Sequence, residues 1–507
     1  MVDSDTSRVG IVGAGAMGRG IAQVAATGGC RVLLHDARPE ATAEAIKFIG
    51  GMLDRAVQKD RMTSQEAEAA KNRLSAAEDL AAFGDADVVI EAVSEDIELK
   101  TKVFVLLEQA TRPDCILASN TSSLSITRLA AACDRPERVA GFHFFNPVPL
   151  MPLVEVIAGI RTEPQVIDRL VTLGEAMGRT PVRVADAPGF LVNQVGRGYT
   201  LEAMNLVSEG VADFADVDAI LRDAAGFRMG PFELLDLTAL DVTHPATVEI
   251  YEQSYHEPRF RPAMLMGQRM QAGLLGRKTK QGHYIYEDGK QQRPQEPEAP
   301  PFEGGTFWVE PGDDAAPLQE IVRKAGAGLD EGDRPGSDAV ILITPLGVDA
   351  TTHAARAGLD PERTVAIDSL FGFASRRTVM KTIVTRPEMM QKTHAVLAAD
   401  GTPVTPIQDS PGFVAQRIVA MIVAIGSGVA QNGIATPNDI DRAVKLGLNY
   451  PNGPLEFADM LGISRIVEIL DGMNACTGDP RYRTGPWLRR RAALGVSAKT
   501  VETSARA

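Results

Sequence analysis

Cysteine is scarce. There are four in 507 residues, Cys30, Cys115, Cys133 and Cys476, and no two stand in CxxC spacing. That excludes a disulfide-stapled scaffold and a thiolate zinc site, and reads as small buried hydrophobes in a reducing compartment. The seven histidines are scattered, so no metal is expected. Basic charge is also short: 52 Lys and Arg against 66 Asp and Glu give a net charge of −14. This argues against a nucleic-acid binder, and any anionic ligand would need a local basic pocket. Long apolar runs are missing too. The most apolar stretch, Ile418 to Ala430, is too short to cross a bilayer and is expected to be a buried helix. The opening residues, MVDSDTS, are acidic without an apolar core, and the closing TSARA is no SKL-type address, so a cytoplasmic location is the expectation.

What is present is mostly apolar pattern: 44% hydrophobic and 23% charged residues, over a length that suggests three or four domains. In residues 1–186, runs at Val9–Val12, Val32–His35, Val88–Ala92, Ile116–Ala118, Val139–Phe145 and Val154–Ile157 alternate with helical patterns. This is the βαβ grammar of an α/β, doubly wound Rossmann sheet. Residues 187–286 read as an all-α domain. Residues 287–335, rich in Pro, Glu, Gly and Asp, read as a linker.

The chain then repeats itself. DAPGFLVNQ at 186 returns as DSPGFVAQR at 409, and Gly230-Pro231 with Glu233 returns as Gly453-Pro454 with Glu456. Asp218 matches Asp441. The helical domain is therefore expected twice, again at 409–507, preceded by a degenerate α/β segment at 336–408. PERVAGFHFFNP at 136–147 resembles PERTVAIDSLFG at 361–372, which sets Asp368 where His143 stands. On the same alignment Gln416 replaces Asn193 and Met380 falls near Glu155. No second glycine fingerprint is visible; only Gly347-Val348-Asp349, after the Val340–Thr344 run, hints at a related loop.

Gly13-Ala14-Gly15-Ala16-Met17-Gly18 follows a strand and opens a helix. A GxGxxG is weak evidence alone but specific in that setting. Gly13 permits the turn, Gly15 admits a pyrophosphate, Gly18 lets helix and strand close up, and the helix N-terminus offers N–H groups. Asp36 ends the next strand, where a carboxylate binds ribose hydroxyls and favours NAD over NADP, with Arg38 close by. Further on, GFHFFNPVPLMPLVEVIAG places one His in an apolar run. Alone, His143 reads as a core histidine. Twelve residues later Glu155 lies in LVEVI, where an unpaired carboxylate would be costly, and the two together make a base and its orienting group. Ser122, in the polar SNTSS loop, and Asn193, opening a helix after Pro188-Gly189, could contact substrate; as isolated residues they read as turn and cap.

SNTSSL, HFFNPVP, LVEVI, DAPGFLVN and GPFELLD, in that order after the glycine fingerprint, resemble the L-3-hydroxyacyl-CoA dehydrogenase family over roughly residues 8–286. The second helical copy is similar to longer bacterial members, the 3-hydroxyacyl-CoA and 3-hydroxyadipyl-CoA dehydrogenases of phenylacetate breakdown. The resemblance implies NAD as cofactor and a 3-hydroxyacyl-CoA as substrate. It implies His143 as the base for the C3 hydroxyl, Glu155 as its partner, and Ser122 and Asn193 on the reacting oxygen. It implies cofactor contacts from Asn146, Glu95, Lys100 and Lys278, and a coenzyme A phosphate contact from Lys59. Two departures stand out: Met52 replaces a coenzyme-binding serine, and Lys280 replaces a common glycine. Since single-copy relatives dimerise through the helical domain, the second copy is expected to take the partner's place within one chain, with further self-association open. It lacks the catalytic set, so one active site per chain is expected. Another Rossmann β-hydroxyacid dehydrogenase, or a non-catalytic NAD-binding protein, remains the alternative. The acyl chain is not legible; Arg197 and Arg228 are candidates for a dicarboxylate, each weighed against an ordinary surface role.

Overall fold

A computed structural model describes residues 7–503. The chain divides into two compact units, one running to Gln194 and including Asn432–Leu448, the other made of Val195–Gln431 and the chain from Asn449 onward.

The first unit is built on eight strands: β1 (Arg8–Val12), β2 (Arg31–His35), β3 (Leu74–Ala76), β4 (Val88–Glu91), β5 (Ile116–Ser119), β6 (Val139–Phe144), β7 (Leu153–Ala158) and β8 (Thr180–Ala185). Their order is β3-β2-β1-β4-β5-β6-β7-β8. All neighbours are parallel except β6 and β7. The central strands are continuous apolar runs because helices cover both faces. The sequence reading missed β3 and β8. Both are edge strands: β3 is three residues long and mostly exposed, and β8 is half-buried with Pro181 and Arg183 in it. Neither carries the apolar run by which the others were recognised.

The helix Pro437–Leu448 belongs to this unit, not to a self-contained 409–507 domain. It packs on β7 and β8. The Ala185 amide donates to the Ile434 carbonyl at 2.8 Å, and Gly447 lies against Leu153 and Val192.

The second unit holds a hairpin, β9 (Ile285–Glu287) and β10 (Lys290–Gln292), and a second sheet. That sheet contains β11 (Thr306–Val309), β12 (Gly328–Asp330), β13 (Val340–Ile343), β14 (Thr364–Ile367), β15 (Arg377–Lys381) and β16 (Val404–Ile407), in the order β12-β11-β13-β14-β15-β16. The linker expected over 287–335 is therefore wrong for most of its length. Residues 306–330 form strand, helix (Ala315–Lys324) and strand. The Pro- and Glu-rich composition masked TFWV, which pairs with β13 and is buried there. Only β14 and β15 run antiparallel, as β6 and β7 do in the first sheet. By position β13 matches β5, so the Gly347 loop answers to the SNTSS loop and not to a glycine fingerprint. The antiparallel register, with the Asp368 amide donating to Thr378 at 3.0 Å, puts Thr378, not Met380, in the place of Glu155.

The helical repeat is observed. Glu233 and Glu456 each accept from the backbone amide three residues earlier, Gly230 and Gly453, at 3.0 Å. The helix Val414–Gln431 is long and apolar enough to cross a membrane by length and composition, but 89% of it is buried within the protein. Gly198 meets Ile422 on it so closely that a Cβ would lie 3.1 Å from the Ile422 nitrogen. Arg417, 2% exposed, donates to Glu202 at 2.7 Å, to Glu209 at 2.6 Å and to the Tyr482 hydroxyl at 3.0 Å, and that hydroxyl in turn donates to Glu202 at 2.7 Å. Tyr199 stacks on Phe227 at 4.6 Å, and Phe227 meets Tyr450 at 5.0 Å. Residues of the two helical copies thus share one core.

Candidate active site

The reversal of β7 against β6 creates the centre of the site. Antiparallel register sets His143 directly opposite Glu155, on one face of the sheet. His143 Nδ1 lies 2.6 Å from Glu155 Oε2. The other carboxylate oxygen accepts the Val192 amide at 2.9 Å and the Leu191 amide at 3.2 Å. Those amides are aimed inward by the turn at Gly189 and Phe190, both at positive φ, 69° and 52°. For Phe190 that conformation costs about 1–2 kcal/mol, which its burial and the shared carboxylate offset. Glu155 is 0% exposed and every oxygen is bonded, so the cost of its burial is met. A carboxylate only accepts, so Nδ1 carries the proton and Nε2 is the nitrogen open to exchange. The ring lies 4.5 Å from Phe145 and 5.9 Å from Phe190, in apolar walls.

Ser122 and Asn193 meet each other. The Asn193 side-chain amide donates to the Ser122 carbonyl at 3.0 Å. Ser122 is tied to Glu95, which accepts its amide at 2.8 Å and its hydroxyl at 3.2 Å, and the Thr121 hydroxyl at 2.6 Å. Burial opposes ionisation of Glu95, but the Lys100 ammonium and these donors outweigh it and hold the carboxyl below its ordinary range.

Three residues the sequence reading passed over build this loop. Glu91 is fully buried at the end of β4 and accepts Lys100 Nζ at 2.7 Å, the Ser119 hydroxyl at 2.7 Å and the Val93 amide at 2.7 Å. Its signal was the one that identified Glu155, a carboxylate inside an apolar run. Asn120 accepts the Phe144 amide at 2.9 Å and pins the loop to β6. Asp186 accepts the Thr127 amide at 2.7 Å and the Ser125 hydroxyl at 2.8 Å, fixing the start of the next helix.

At the other end of the sheet's active edge, the glycine loop has the shape expected of it. Gly13 has φ of 104° and a Cβ there would lie 2.6 Å from the Ala92 carbonyl. A Cβ on Gly18 would lie 1.8 Å from the Gly13 carbonyl, which is the close helix–strand packing. Nothing lies within 4 Å of a Cβ on Gly15, so the loop is open on the side where a phosphate approaches. Gly15 is the N-cap of the helix Ala16–Thr27, which contains Met17 and has no side-chain cap. Its first amides are available to an anion. Asp36 accepts the Ala14 amide at 2.8 Å and the Arg38 amide at 3.0 Å. Partial burial opposes its ionisation, and those two amides hold it below the ordinary range all the same. A carboxylate kept charged there fits ribose hydroxyls and not a 2′-phosphate. The residues present fit NAD.

The remaining candidates divide. Asn146 follows β6 in the first unit, and Lys59 ends the helix Pro39–Gln58, exposed. Lys100 is 1% exposed, its ammonium enclosed by Glu91, by Glu95 at 3.3 Å and by the Val93 carbonyl, so it is spent inside the protein. Lys278 lies in the second unit, paired with Asp241. Lys280 adopts the left-handed conformation, φ 62°, which explains why glycine is common there. Arg197 is buried, 8% exposed, and donates to the Thr247 hydroxyl at 2.5 Å; the surface role weighed for it is wrong, whereas Arg228 is exposed.

Comparison with known proteins agrees with this geometry. The family profile described as "3-hydroxyacyl-CoA dehydrogenase, NAD binding domain" matches residues 8–187. The profile for the family's C-terminal domain matches twice, at 189–286 and 412–505. The chain belongs to the 3-hydroxyacyl-CoA dehydrogenase family. It is an NAD-binding oxidoreductase acting on a CH–OH group. A 3-hydroxyadipyl-CoA dehydrogenase of Escherichia coli (strain K12) is 38% identical over 96% of this chain and 97% of its own. A probable 3-hydroxybutyryl-CoA dehydrogenase of Bacillus subtilis (strain 168) is 40% identical over 56% of this chain and 99% of its own. Among solved structures, a 3-hydroxybutyryl-CoA dehydrogenase from Escherichia coli K12 superposes with a TM-score of 0.86 at 37% identity, covering 96% of this chain and 98% of that one.

Proposed function

We propose that the chain oxidises a (3S)-3-hydroxyacyl-CoA to the 3-oxoacyl-CoA, with His143 as general acid and base. The observation that carries this reading is the buried His143–Glu155 pair at 2.6 Å. Bound NAD supplies the hydride acceptor. His143 Nε2 takes the proton of the C3 hydroxyl, and the imidazolium so formed is stabilised by Glu155 through Nδ1. Ser122 and Asn193 hold the reacting oxygen, Asp36 and the glycine loop bind the dinucleotide, and Lys59 meets the coenzyme's phosphates. In the reverse direction the imidazolium polarises the ketone. A positioned base of this kind contributes about 10²–10⁴-fold. His143→Gln is expected to lower kcat with acetoacetyl-CoA and NADH by about that factor while leaving NADH binding unchanged. Near-normal turnover would end the reading in favour of a different dehydrogenase or a non-catalytic protein.

The two helical copies are read as an intrachain pseudo-dimer, supported by the Arg417–Glu202 pair and the Gly198–Ile422 contact. One active site per chain is supported by Asp368, Thr378 and Gln416 standing for His143, Glu155 and Asn193. The likeness to a 3-hydroxyadipyl-CoA dehydrogenase over nearly the whole chain favours a dicarboxylic acyl group, and the reaction itself suits phenylacetate or fatty-acid breakdown. Comparing kcat/KM for 3-hydroxybutyryl-CoA and 3-hydroxyadipyl-CoA tests this. The four free cysteines accord with a cytoplasmic setting.

A further inference from the structure

The first unit carries a second cationic feature, at the opposite ends of the strands from the glycine loop. β1 and β2 run parallel with Arg8 opposite Arg31, and the register that pairs Val32 with Leu74 puts Arg73 beside Arg31. Three arginines therefore stand in one row across three neighbouring chain segments, with backbones about 4.8 Å apart. All three line one groove of about 750 Å³, together with Asn72 and Ser75. The carboxylate lining it is Asp85, and Arg8 takes that at 2.8 Å. Arg73 is steadied by the Ala26 carbonyl at 3.2 Å. The guanidinium of Arg31 has no hydrogen-bond or ion-pair partner among the described residues.

Like charges on directly opposed residues repel; the Arg8–Asp85 pair offsets part of this, and the repulsion on Arg31, which has no counter-charge among the described residues, remains, in a chain whose net charge is −14. An anion spanning the row would relieve it, and planar guanidinium groups suit phosphate oxygens. We infer that this groove is a binding site for a phosphoanhydride, the polyphosphate of a nucleotide or a free oligophosphate. It is separate from the cofactor site. The five residues of β1 put about 15 Å between its two ends, and dinucleotides bind at the carboxyl ends of such strands. The same two strands lead from the arginine row to Gly13 and Asp36, so occupancy has a direct structural route to the cofactor loop.

The test is calorimetric titration of the full chain, held saturated with NADH so that the dinucleotide site is filled, with inorganic tripolyphosphate and separately with ADP. One saturable site per chain is expected, weakening at least tenfold as salt is raised into the range where the screening length falls to a few ångströms. A stronger response to ADP would identify a nucleotide as the source, and a stronger response to tripolyphosphate a free oligophosphate. Arg31→Gln/Arg73→Gln is expected to lose at least tenfold in affinity with kcat and KM for NADH unchanged. If the double variant unfolds more easily, Arg31→Gln alone serves, because that head group holds nothing in place. Absence of saturable binding, binding unaffected by Arg31→Gln, or displacement of NADH by tripolyphosphate would overturn the inference. None of these outcomes depends on His143.

Discussion

Replacing Glu155 by Gln separates orientation of the base from the fold around it. The side chain keeps its shape and one carbonyl oxygen, which can still accept the Val192 and Leu191 amides now 2.9 and 3.2 Å from Oε1. What faces His143 becomes an NH₂ group. It cannot accept from Nδ1, so the imidazole must move its proton to Nε2, and the nitrogen that should take the substrate proton then already carries one. The charge-assisted bond to Nδ1 is lost as well. Such bonds are worth about 1.5–3 kcal/mol, and at about 1.4 kcal/mol per factor of ten that alone is roughly 10- to 10²-fold. The wrong tautomer multiplies it; an equivalent change in a His–Asp pair lowers turnover by about 10⁴. A fall in kcat of about 10³–10⁴ is therefore expected, read from NADH absorbance with acetoacetyl-CoA as substrate. NADH binding by fluorescence titration should stay within about twofold of the parent, because no cofactor-loop residue touches Glu155, and stability should change by less than about 2 kcal/mol. A kcat within threefold of the parent, or a loss carried wholly by weaker NADH binding, would refute the orienting role.

Arg417→Met takes from buried Glu202 its nearer counter-charge, leaving Arg481 at 3.7 Å, and should destabilise the helical core by up to about 3–5 kcal/mol in urea unfolding. Adding Glu202→Gln should recover most of it. Burial pushes the Asp368 carboxyl up to about 6, against the Leu370 amide, Gln416 and Arg465, which pull it down. The folded state then holds a proton that the unfolded chain releases above its ordinary value near 3.8, so stability falls as pH rises from about 4 to 6 and is flat above. Asp368→Asn should remove that slope and be more stable at pH 8 by up to roughly 3 kcal/mol, measured by urea unfolding across pH. Asp36→Ala should raise KM for NAD at least tenfold with kcat within about threefold, and narrow the preference over NADP, checked by steady-state kinetics with both cofactors.

The first sheet was legible because its inner strands are apolar runs, and because Gly13, at positive φ, and Gly18, against the Gly13 carbonyl, leave no room for a side chain. His143 and Glu155 were legible as polar groups where an apolar run makes them expensive. Glu91 sent the same signal at the end of β4 and was overlooked, since nothing near it in sequence shows its partners, Lys100 and Ser119. The connector at 287–335 misled because composition described its exposed turns, while burial of TFWV against β13 decided its structure.

The motif order, the repeat and the candidate base were determined along the chain, where local backbone needs and the cost of buried charge leave marks on residue choice. Tertiary structure alone decided which groups meet. It set His143 opposite Glu155 through one reversed strand, enclosed Lys100 between two carboxylates, lent the helix Pro437–Leu448 to the first unit, and lined up Arg8, Arg31 and Arg73. Register and packing join residues far apart in sequence, and no local pattern records such a partnership.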